Sequence, residues 1–514
     1  MRFYSRILFA ACAAALVTAG CDQSLDSTET LTTLDPASLD ADAGTWRLVV
    51  LTSPSQVAVP APFPVASPEY QAELARVAAT QAALTPEQRE ALETWGGGGV
   101  LRWNQIARGL VARFSVPPAP LADGTYPVPD PDNPFADPQL PFANPPYAAR
   151  AYSYLSVAQA EALKAAWHYK FLYNRPSPAR VGGGVQALLP VSDLPAYPSE
   201  DAVLSGVSAE VLKVLFPSAV EDITRAAAEQ RLAALASGRA TASDVAAGLA
   251  LGKSVAAALL ARASTDGMRA APGTPALWQS YLDATEATGE IAWRSQDLPA
   301  RPPMLAGFGA VRTWTMTPAE VLATYPPPPP STSSQQMRDE LAEVKRTVDN
   351  LTRDQLAVAQ RWNDGAGTYT PPGHWNDIAA EHVRDARMSE VRAARTFALL
   401  NMALHDSAVA CWGVKYRFFN PRPSQLDPSI RTAIGLPNFP AYPSGHSTFS
   451  SAAAAVLTYV FPEGGADFAR MSDEAGISRL YGGIHYRSDI DGGKAHGQRV
   501  GAIVVQLGRG DGAD

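Results

Sequence analysis

Ala441-Tyr442-Pro443-Ser444 restates a tetrapeptide that the chain has already used once, as Ala196-Tyr197-Pro198-Ser199. Working outward from the two copies, the surroundings repeat as well. Trp167 stands three residues before Lys170 and is followed by Asn174-Arg175-Pro176; Trp412 stands three before Lys415 and is followed by Pro421-Arg422-Pro423. Further upstream, Leu84-Thr85-Pro86-Glu87-Gln88, Trp95, Trp103-Asn104 and Ala148-Ala149-Arg150 answer to Leu351-Thr352-Arg353-Asp354-Gln355, Trp362, Trp375-Asn376 and Ala393-Ala394-Arg395. Downstream, Asp244, Gly248, Gly252 and Val255 are spaced as Asp489, Gly493, Gly497 and Val500. Self-similarity sustained over this length means one structural unit used twice.

Within each unit, runs rich in Ala, Leu, Glu and Arg carry apolar residues at intervals of three and four, the helical period. The expected fold is all-α: two packed helical bundles from an internal duplication. Strand patterns are scarce; Trp46 to Leu51 is the best candidate, as a hairpin or edge. Pro- and Gly-rich stretches at 114–146 and 266–336, the latter with Pro326 to Pro330, predict irregular connectors. The expected organisation is a signal peptide at 1–21, an N-terminal segment with short strands at 22–80, and a first helical repeat at 81–265. A Pro-rich connector follows at 266–345 and a second helical repeat at 346–510. The 514 residues, 46% hydrophobic and 18% charged, exclude wholesale disorder and allow a large core. A formal charge of −8 argues against a nucleic-acid partner.

The first residues predict export. Arg2 and Arg6 flank an apolar run from Ile7 to Val17, followed by Thr18-Ala19-Gly20-Cys21, the pattern of a bacterial signal ending at a lipid-modified cysteine. Cys21 is the expected lipidation site, giving an exported lipoprotein of the cell envelope, periplasmic or on the outer surface, held to a membrane by its lipid. With Cys12 removed and Cys21 acylated, Cys411 is left alone, so no intramolecular disulfide is expected. The most apolar later stretch, Ala452 to Phe461, is about half a spanning length, which predicts a mature body outside the bilayer.

The chemistry concentrates in the second unit, which holds six of the seven histidines. Tyr442-Pro443-Ser444-Gly445-His446-Ser447 opens an Ala-rich helix, and free N–H groups at a helix start form an anion site. Ser478-Arg479 is followed after five residues by His485 and after three more by Asp489. A carboxylate four residues after a histidine on a helix accepts its ring N–H and fixes the tautomer, turning the other nitrogen toward a ligand or substrate. Lys415 and, after six residues, Arg422-Pro423 add two cations. Three cations, a helix N-terminus and two histidines suit a tetrahedral oxyanion such as phosphate or vanadate.

This set resembles the superfamily of type 2 phosphatidic acid phosphatases, bacterial non-specific acid phosphatases and vanadium-dependent haloperoxidases, whose three blocks all occur in order between residues 415 and 489. The resemblance implies that Lys415, Arg422 and Arg479 bind the oxyanion, with Ser444 and the Gly445 N–H completing the cradle. It implies that His485 attacks phosphorus or ligates vanadium axially, that Asp489 orients His485, and that His446 is the acid/base. The haloperoxidase reading requires vanadate, hydrogen peroxide and a halide. The phosphatase reading needs a phosphate monoester and no cofactor, and runs through a phosphohistidine. A third reading is a non-enzymatic oxyanion-binding lipoprotein, against which intact His446 and Asp489 speak. Two bundles with one live site tilt the expectation toward the haloperoxidase. So do Trp412 and Phe439, which match positions lining the halide side of the chloroperoxidase pocket; core packing is the competing reading for both.

In the same register the first unit looks like a damaged copy. Glu200-Asp201 replace Gly445-His446, Arg175 follows Lys170 too soon, and Arg231 and Asp244 stand for Arg479 and Asp489 with three extra residues between them and no histidine. Of the remaining candidates, Tyr481-Gly482-Gly483-Ile484 is expected to pass backbone close to the oxyanion. His405-Asp406 is expected to be a structural pair, Gly96 to Gly99 a turn, Cys411 a core residue and His374 a plain loop histidine.

Overall fold

The computed structural model describes residues 31–126 and 142–513. The signal segment, Cys21 and part of the first Pro-rich stretch lie outside these residues. The first unit consists of α1 (Pro68–Ala82), α2 (Pro86–Trp95), α3 (Gly99–Phe114), α4 (Pro145–Tyr173), α5 (Glu200–Leu215), α6 (Val220–Ala236) and α7 (Ala242–Ala263). The second consists of α8 (Gln335–Asp349), α9 (Arg353–Arg361), α10 (Thr370–Asp385), α11 (Glu390–Phe418), α12 (Gly445–Val460), α13 (Gly465–Tyr481) and α14 (Arg487–Arg509). The pairing is residue by residue from α4 onward: starts at 390 against 145, 445 against 200, 465 against 220 and 487 against 242 share one offset of 245.

Local chemistry repeats with the register. Thr85 and Thr352 each close a capping box with Gln88 and Gln355, which is why Leu-Thr-x-x-Gln occurs twice. The long helices start at Asn144 and Ser389, whose side chains cap them, and stop where Asn174 and Phe419 turn left-handed at φ 46°. Glu73 on α1 accepts the backbone N–H and hydroxyl of Ser243 at the start of α7, and Glu340 on α8 does the same for Ser488 on α14. The pairing therefore includes α1 and α8.

The sheer length and apolarity of α4 and α11 put them at the centre, against each other, so that each unit buries one face of the other. Asn104, Asn376, Asn401 and Ser156 form a buried hydrogen-bonded string across the contact at 2.7–2.9 Å. Arg150–Asp266 and Arg395–Asp511 are matching buried ion pairs, both at 2.7 Å. The paired glycines hold the helices close: a Cβ on Gly493 would stand 2.6 Å from the Ser444 carbonyl oxygen and one on Gly497 2.1 Å from that of Thr448. Only glycine lets α14 approach the start of α12 at that distance.

Three expectations change. No strand occurs among the described residues; at 49–51 the N–H groups of Val49, Val50 and Leu51 donate to the buried Glu161 carboxylate on α4 at 2.8–3.0 Å. A carboxylate on the core helix thus takes the place of a partner strand. Its counterpart, Asp406 on α11, receives the N–H groups of Trp314 and Thr315. Second, Ala242–Ala263 and Glu390–Leu426 are long and apolar enough to cross a membrane by length and composition, unlike the short stretch singled out above. In Glu390–Leu426 the most apolar window is 94% buried, as a core helix is. Third, the constant offset puts Ala234, not Arg231, opposite Arg479, and Ser177, not Arg175, opposite Arg422. Arg231 sits nearly one helical turn earlier and donates to Ser205. The 266–336 connector includes the helices Pro275–Glu286 and Pro318–Ala323 and is pinned to the second unit, for example by Trp293 N–H to the Phe419 carbonyl at 2.7 Å.

Candidate active site

Four elements of the second unit converge: the C-terminal turn of α11 with the loop after it, the N-terminus of α12, the end of α13 and the start of α14. Lys415, Arg422, Ser444, Arg479, His485 and Asp489 are each 2% exposed or less.

His485 lies in the turn before α14 and donates Nδ1–H to Asp489 at 2.8 Å; the same carboxylate oxygen accepts the Tyr486 N–H at 3.0 Å. That bond leaves Nε2 as the lone-pair nitrogen, and the Arg422 guanidinium donates to it at 3.0 Å. Burial first, then the nearby Arg422, Lys415 and Arg479 charges, hold the imidazole well below the usual histidine range. The ring is therefore held neutral, with Nε2 as its acceptor nitrogen. Burial drives the Asp489 carboxyl upward, against the hydrogen bonds it receives.

Arg422 also donates to the Phe439 and Ile484 carbonyls, at 3.1 and 2.8 Å, while its other terminal nitrogen is buried without a partner. Arg479 donates to the Trp362 carbonyl at 2.5 Å and to Ser478 at 3.0 Å. Burial lowers both guanidinium groups to about 10, so they keep their charge at neutral pH. Lys415 is placed otherwise than an anion ligand alone would need: its ammonium donates to the carbonyls of Pro440, Ala441 and Pro443 at 2.9, 2.9 and 2.5 Å. It thereby clamps the loop that delivers Ser444, and burial lowers its pKa.

Ser444 caps α12 through the Ser447 N–H, and its own N–H donates to the Asp489 carbonyl at 2.8 Å, joining the helix start to the His485 turn. Gly445 follows, and a Cβ there would point into van der Waals range of Trp412 and Phe449, at 3.9 and 3.8 Å. The Trp412 and Phe439 rings lie 5.1 Å apart, with the Lys415 ammonium 5.0 Å from the Phe439 ring centre. Trp412 also donates Nε1–H to the Met304 carbonyl of the connector, as Trp167 does to Leu39.

An anionic group of tetrahedral size fits these residues on two counts. Arg422 has a buried donor with no acceptor, and Gly445 leaves open the direction a side chain would fill. Arg422, Arg479, Ser444 and the Gly445 N–H are the groups positioned to hold it, with His485 Nε2 on the reacting side.

His446, the next residue of α12, keeps a ring 16% exposed, and its buried Nε2 has no hydrogen-bond partner. Its nearest carboxylate is Asp364, at 3.7 Å. Asp364 lies in the loop before α10 at φ 45° and also accepts His374 Nδ1–H at 3.1 Å. Against a burial penalty that works the other way, the bonds from His374 and the neighbouring His446 imidazole bring Asp364 down to about 2. Burial and Arg479 lower His446 to about 4, opposed by Asp364. Asp364 and His374 were missed in the sequence: neither lies in the contiguous motif blocks, and His374 proves to be a helix residue stacked on Trp362 at 4.3 Å. The one available signal was a second-unit histidine and an aspartate flanking the repeated Trp362 and Trp375. His405 is buried beneath the connector, donating to or accepting from no site residue, and Cys411 is core.

Residues 395–511 match the PAP2 superfamily. Non-specific acid phosphatases of Salmonella typhi and Salmonella typhimurium are 42% and 40% identical to the chain over 63 residues, which is 12% of this chain and 24% of each relative. The match thus spans about a quarter of the length of these curated relatives. A bacterial vanadium-dependent iodoperoxidase structure aligns with 70% of this chain and 91% of its own, at 23% identity and a TM-score of 0.57. A holo-type bacterial vanadium-dependent chloroperoxidase aligns over 74% and 96%, at 14% identity and a TM-score of 0.50. These two likenesses are of fold.

Proposed function

We propose that this chain, whose residues 395–511 match the PAP2 superfamily, is a vanadate-dependent haloperoxidase. The observation that carries the reading is the enclosure of the site. Its cations, Ser444 and His485 are all but sealed from solvent, and only the His446 ring is appreciably open. So enclosed a site suits a small resident oxyanion and small reactants better than an organic phosphate that must enter and leave. The fold shared with the iodoperoxidase over 70% of this chain supports the same reading.

Arg422, Arg479, Ser444 and the Gly445 N–H would hold vanadate, and His485 Nε2 would ligate it. Bound vanadate supplies an electrophilic centre that activates hydrogen peroxide toward halide. The net reaction oxidises halide to hypohalous acid, reduces peroxide to water and consumes one proton. His446, neutral above about pH 4, is the residue that takes the peroxide proton and returns it. Asp489 keeps His485 in the tautomer that presents Nε2. The Trp412–Phe439 pair, set against Lys415, forms the apolar wall on which a halide would rest. Export and attachment to a membrane through Cys21 belong to the proposal, on the strength of the Arg2–Cys21 pattern.

The second reading is an acid phosphatase with a phosphohistidine at His485. It is favoured by the 42% identity to the Salmonella enzyme. The test is bromide- and peroxide-dependent halogenation of a phenol by the full chain, with and without orthovanadate, beside His485→Ala. Turnover only with vanadate, and absent in the variant, is the expected result. Aryl phosphate hydrolysis inhibited by vanadate, with no halogenation, would replace it by the phosphatase reading.

A further inference from the structure

The string His374–Asp364–His446 has no part in holding the oxyanion, yet it ends at the one site histidine that reaches toward solvent. Asp364 takes the His374 Nδ1–H on both carboxylate oxygens, at 3.1 and 3.2 Å, and turns one of them toward His446 Nε2 at 3.7 Å. The side chain of Asp364 is 6% exposed, so its direction is set by protein groups rather than by water. The His374 ring is itself fixed, stacked on Trp362 with a 22° tilt and edge-on to Tyr369. Trp362 also lends its carbonyl to Arg479.

We infer that His374 is a positioning residue for the acid/base His446, acting through Asp364: by donating to that carboxylate it keeps Asp364 from closing on His446 and so holds the His446 ring free. The inference rests on His446 being the acid/base, and that role is common to the haloperoxidase and phosphatase readings. Three charged or titratable groups bear on His446 itself. They are Arg479, His485 and Asp364, and Asp364 also acts on Arg479. Around Asp364 and His374 stand Tyr369 and Asp377 of the loop and α10, together with Arg108 and Tyr152 from the first unit. Tyr369 donates to Asp377, and Tyr152 to the Tyr369 carbonyl. Without the His374 donor, Asp364 is left with the His446 ring and the Arg479 charge as its partners. The carboxylate then swings to His446, raises its proton affinity and withdraws it from the substrate.

The test compares His374→Ala, His374→Phe and His374→Asn in the full chain. The phenylalanine keeps a ring on Trp362 without a donor; the asparagine keeps a donor without the ring. The direct readout is the ¹⁵N and ¹H titration of the His446 ring, assigned with His446→Gln, which requires no turnover. The expected result is a His446 pKa about one unit higher in the alanine and phenylalanine variants and restored by asparagine. In whichever assay the wild type is active, the acidic limb of kcat should move up by the same amount, with a loss of about twofold at pH 5 that grows toward about tenfold at lower pH. Orthovanadate binding should stay within about twofold. An unshifted His446 in His374→Phe, or a shift that asparagine does not restore, overturns the inference. Wild-type inactivity in both assays would count against the proposed function instead and leave the titration to decide this point.

Discussion

The two units place the same helices around the same pocket and fill it in opposite ways. In the second, Gly445 leaves space beside Lys415 and Arg422 keeps an unused donor. In the first, Glu200 stands at the position of Gly445 and its carboxylate meets Lys170 at 2.6 Å, while Arg175 pairs with Asp244, the counterpart of Asp489. Ala240 stands where His485 is, and Asp201 where His446 is. A pocket that must accept an anion has become two internal ion pairs. Asp201 and the nearby Glu390, at the start of α11, are buried acids raised to about 6 and about 7, by burial first and by neighbouring carboxylates. The units thus differ less in having cations than in whether a built-in carboxylate occupies them.

The largest expected effect breaks the comparison directly. Gly445→Glu introduces the first unit's residue into the second, where the Cβ has ordinary clearance. Its carboxylate would reach Lys415 as Glu200 reaches Lys170. Orthovanadate and orthophosphate binding should be lost, and turnover should fall by at least about 10³, as removal of major electrostatic stabilisation does. The melting temperature should change little; if binding survives, the carboxylate is not what silenced the first unit.

The reverse change tests the other half. Glu200→Gln strands the Lys170 ammonium, which is fully buried and keeps only the Pro195 carbonyl as acceptor. Breaking a buried pair from one side costs about 3 kcal/mol, measurable by denaturant unfolding. No activity should appear in the first unit, because no nucleophile stands at Ala240.

How much of this was legible follows from where the information lies. The convergence of Lys415, Arg422, Ser444, Gly445, Arg479, His485 and Asp489 was readable because they fall in three contiguous blocks at helix ends and the turns beside them. The register of the damaged copy was not. Matching identities pulled Arg231 and Arg175 onto Arg479 and Arg422, whereas the helices hold one offset regardless of which side chains survive. The segment 46–51 has the composition of a strand, and nothing local reveals that its amides would find Glu161, more than a hundred residues away. Asp364 and His374 were invisible for the same reason: they meet His446 only through the packing of α10 beside α12.

Acid should distinguish the units as well, because six of the seven histidines lie in the second. Burial holds His405 and His496 at about 3. Their folded values lie below the unfolded one, so the unfolded chain binds more protons. Their stabilisation is complete above about pH 6.5 and is lost as pH falls toward about 3. At pH 5 each contributes about 2 kcal/mol less than at neutrality. Asp406, raised to about 6 by burial, works the other way, favouring the fold as pH drops below 6. The measurement is unfolding free energy at pH 7 and 5 in the wild type and His496→Gln, where the substitution should lessen the fall in stability between the two pH values by about 2 kcal/mol. Equal pH slopes would mean that His496 is protonated in the fold.

The smallest effect tests whether the silent unit still serves the live site. Its Tyr152 donates to the Tyr369 carbonyl at 3.1 Å, Arg108 pairs with Asp377 at 2.6 Å, and the Ser115 carbonyl accepts the Gly367 N–H at 2.9 Å. All three contacts fall on the loop and helix that present Asp364 and His374. Tyr152→Phe removes one buried hydrogen bond while keeping the ring, a loss of about 1 kcal/mol in stability. If the first unit merely walls off α11, turnover per folded molecule should be unchanged. If it braces the loop, kcat should fall about two- to fivefold with orthovanadate affinity intact, because the displaced groups act on His446 and not on the anion. That split separates a buried wall from a working brace: the first outcome would confine the first unit's contribution to stability, the second would give a pocket without chemistry of its own a part in its neighbour's.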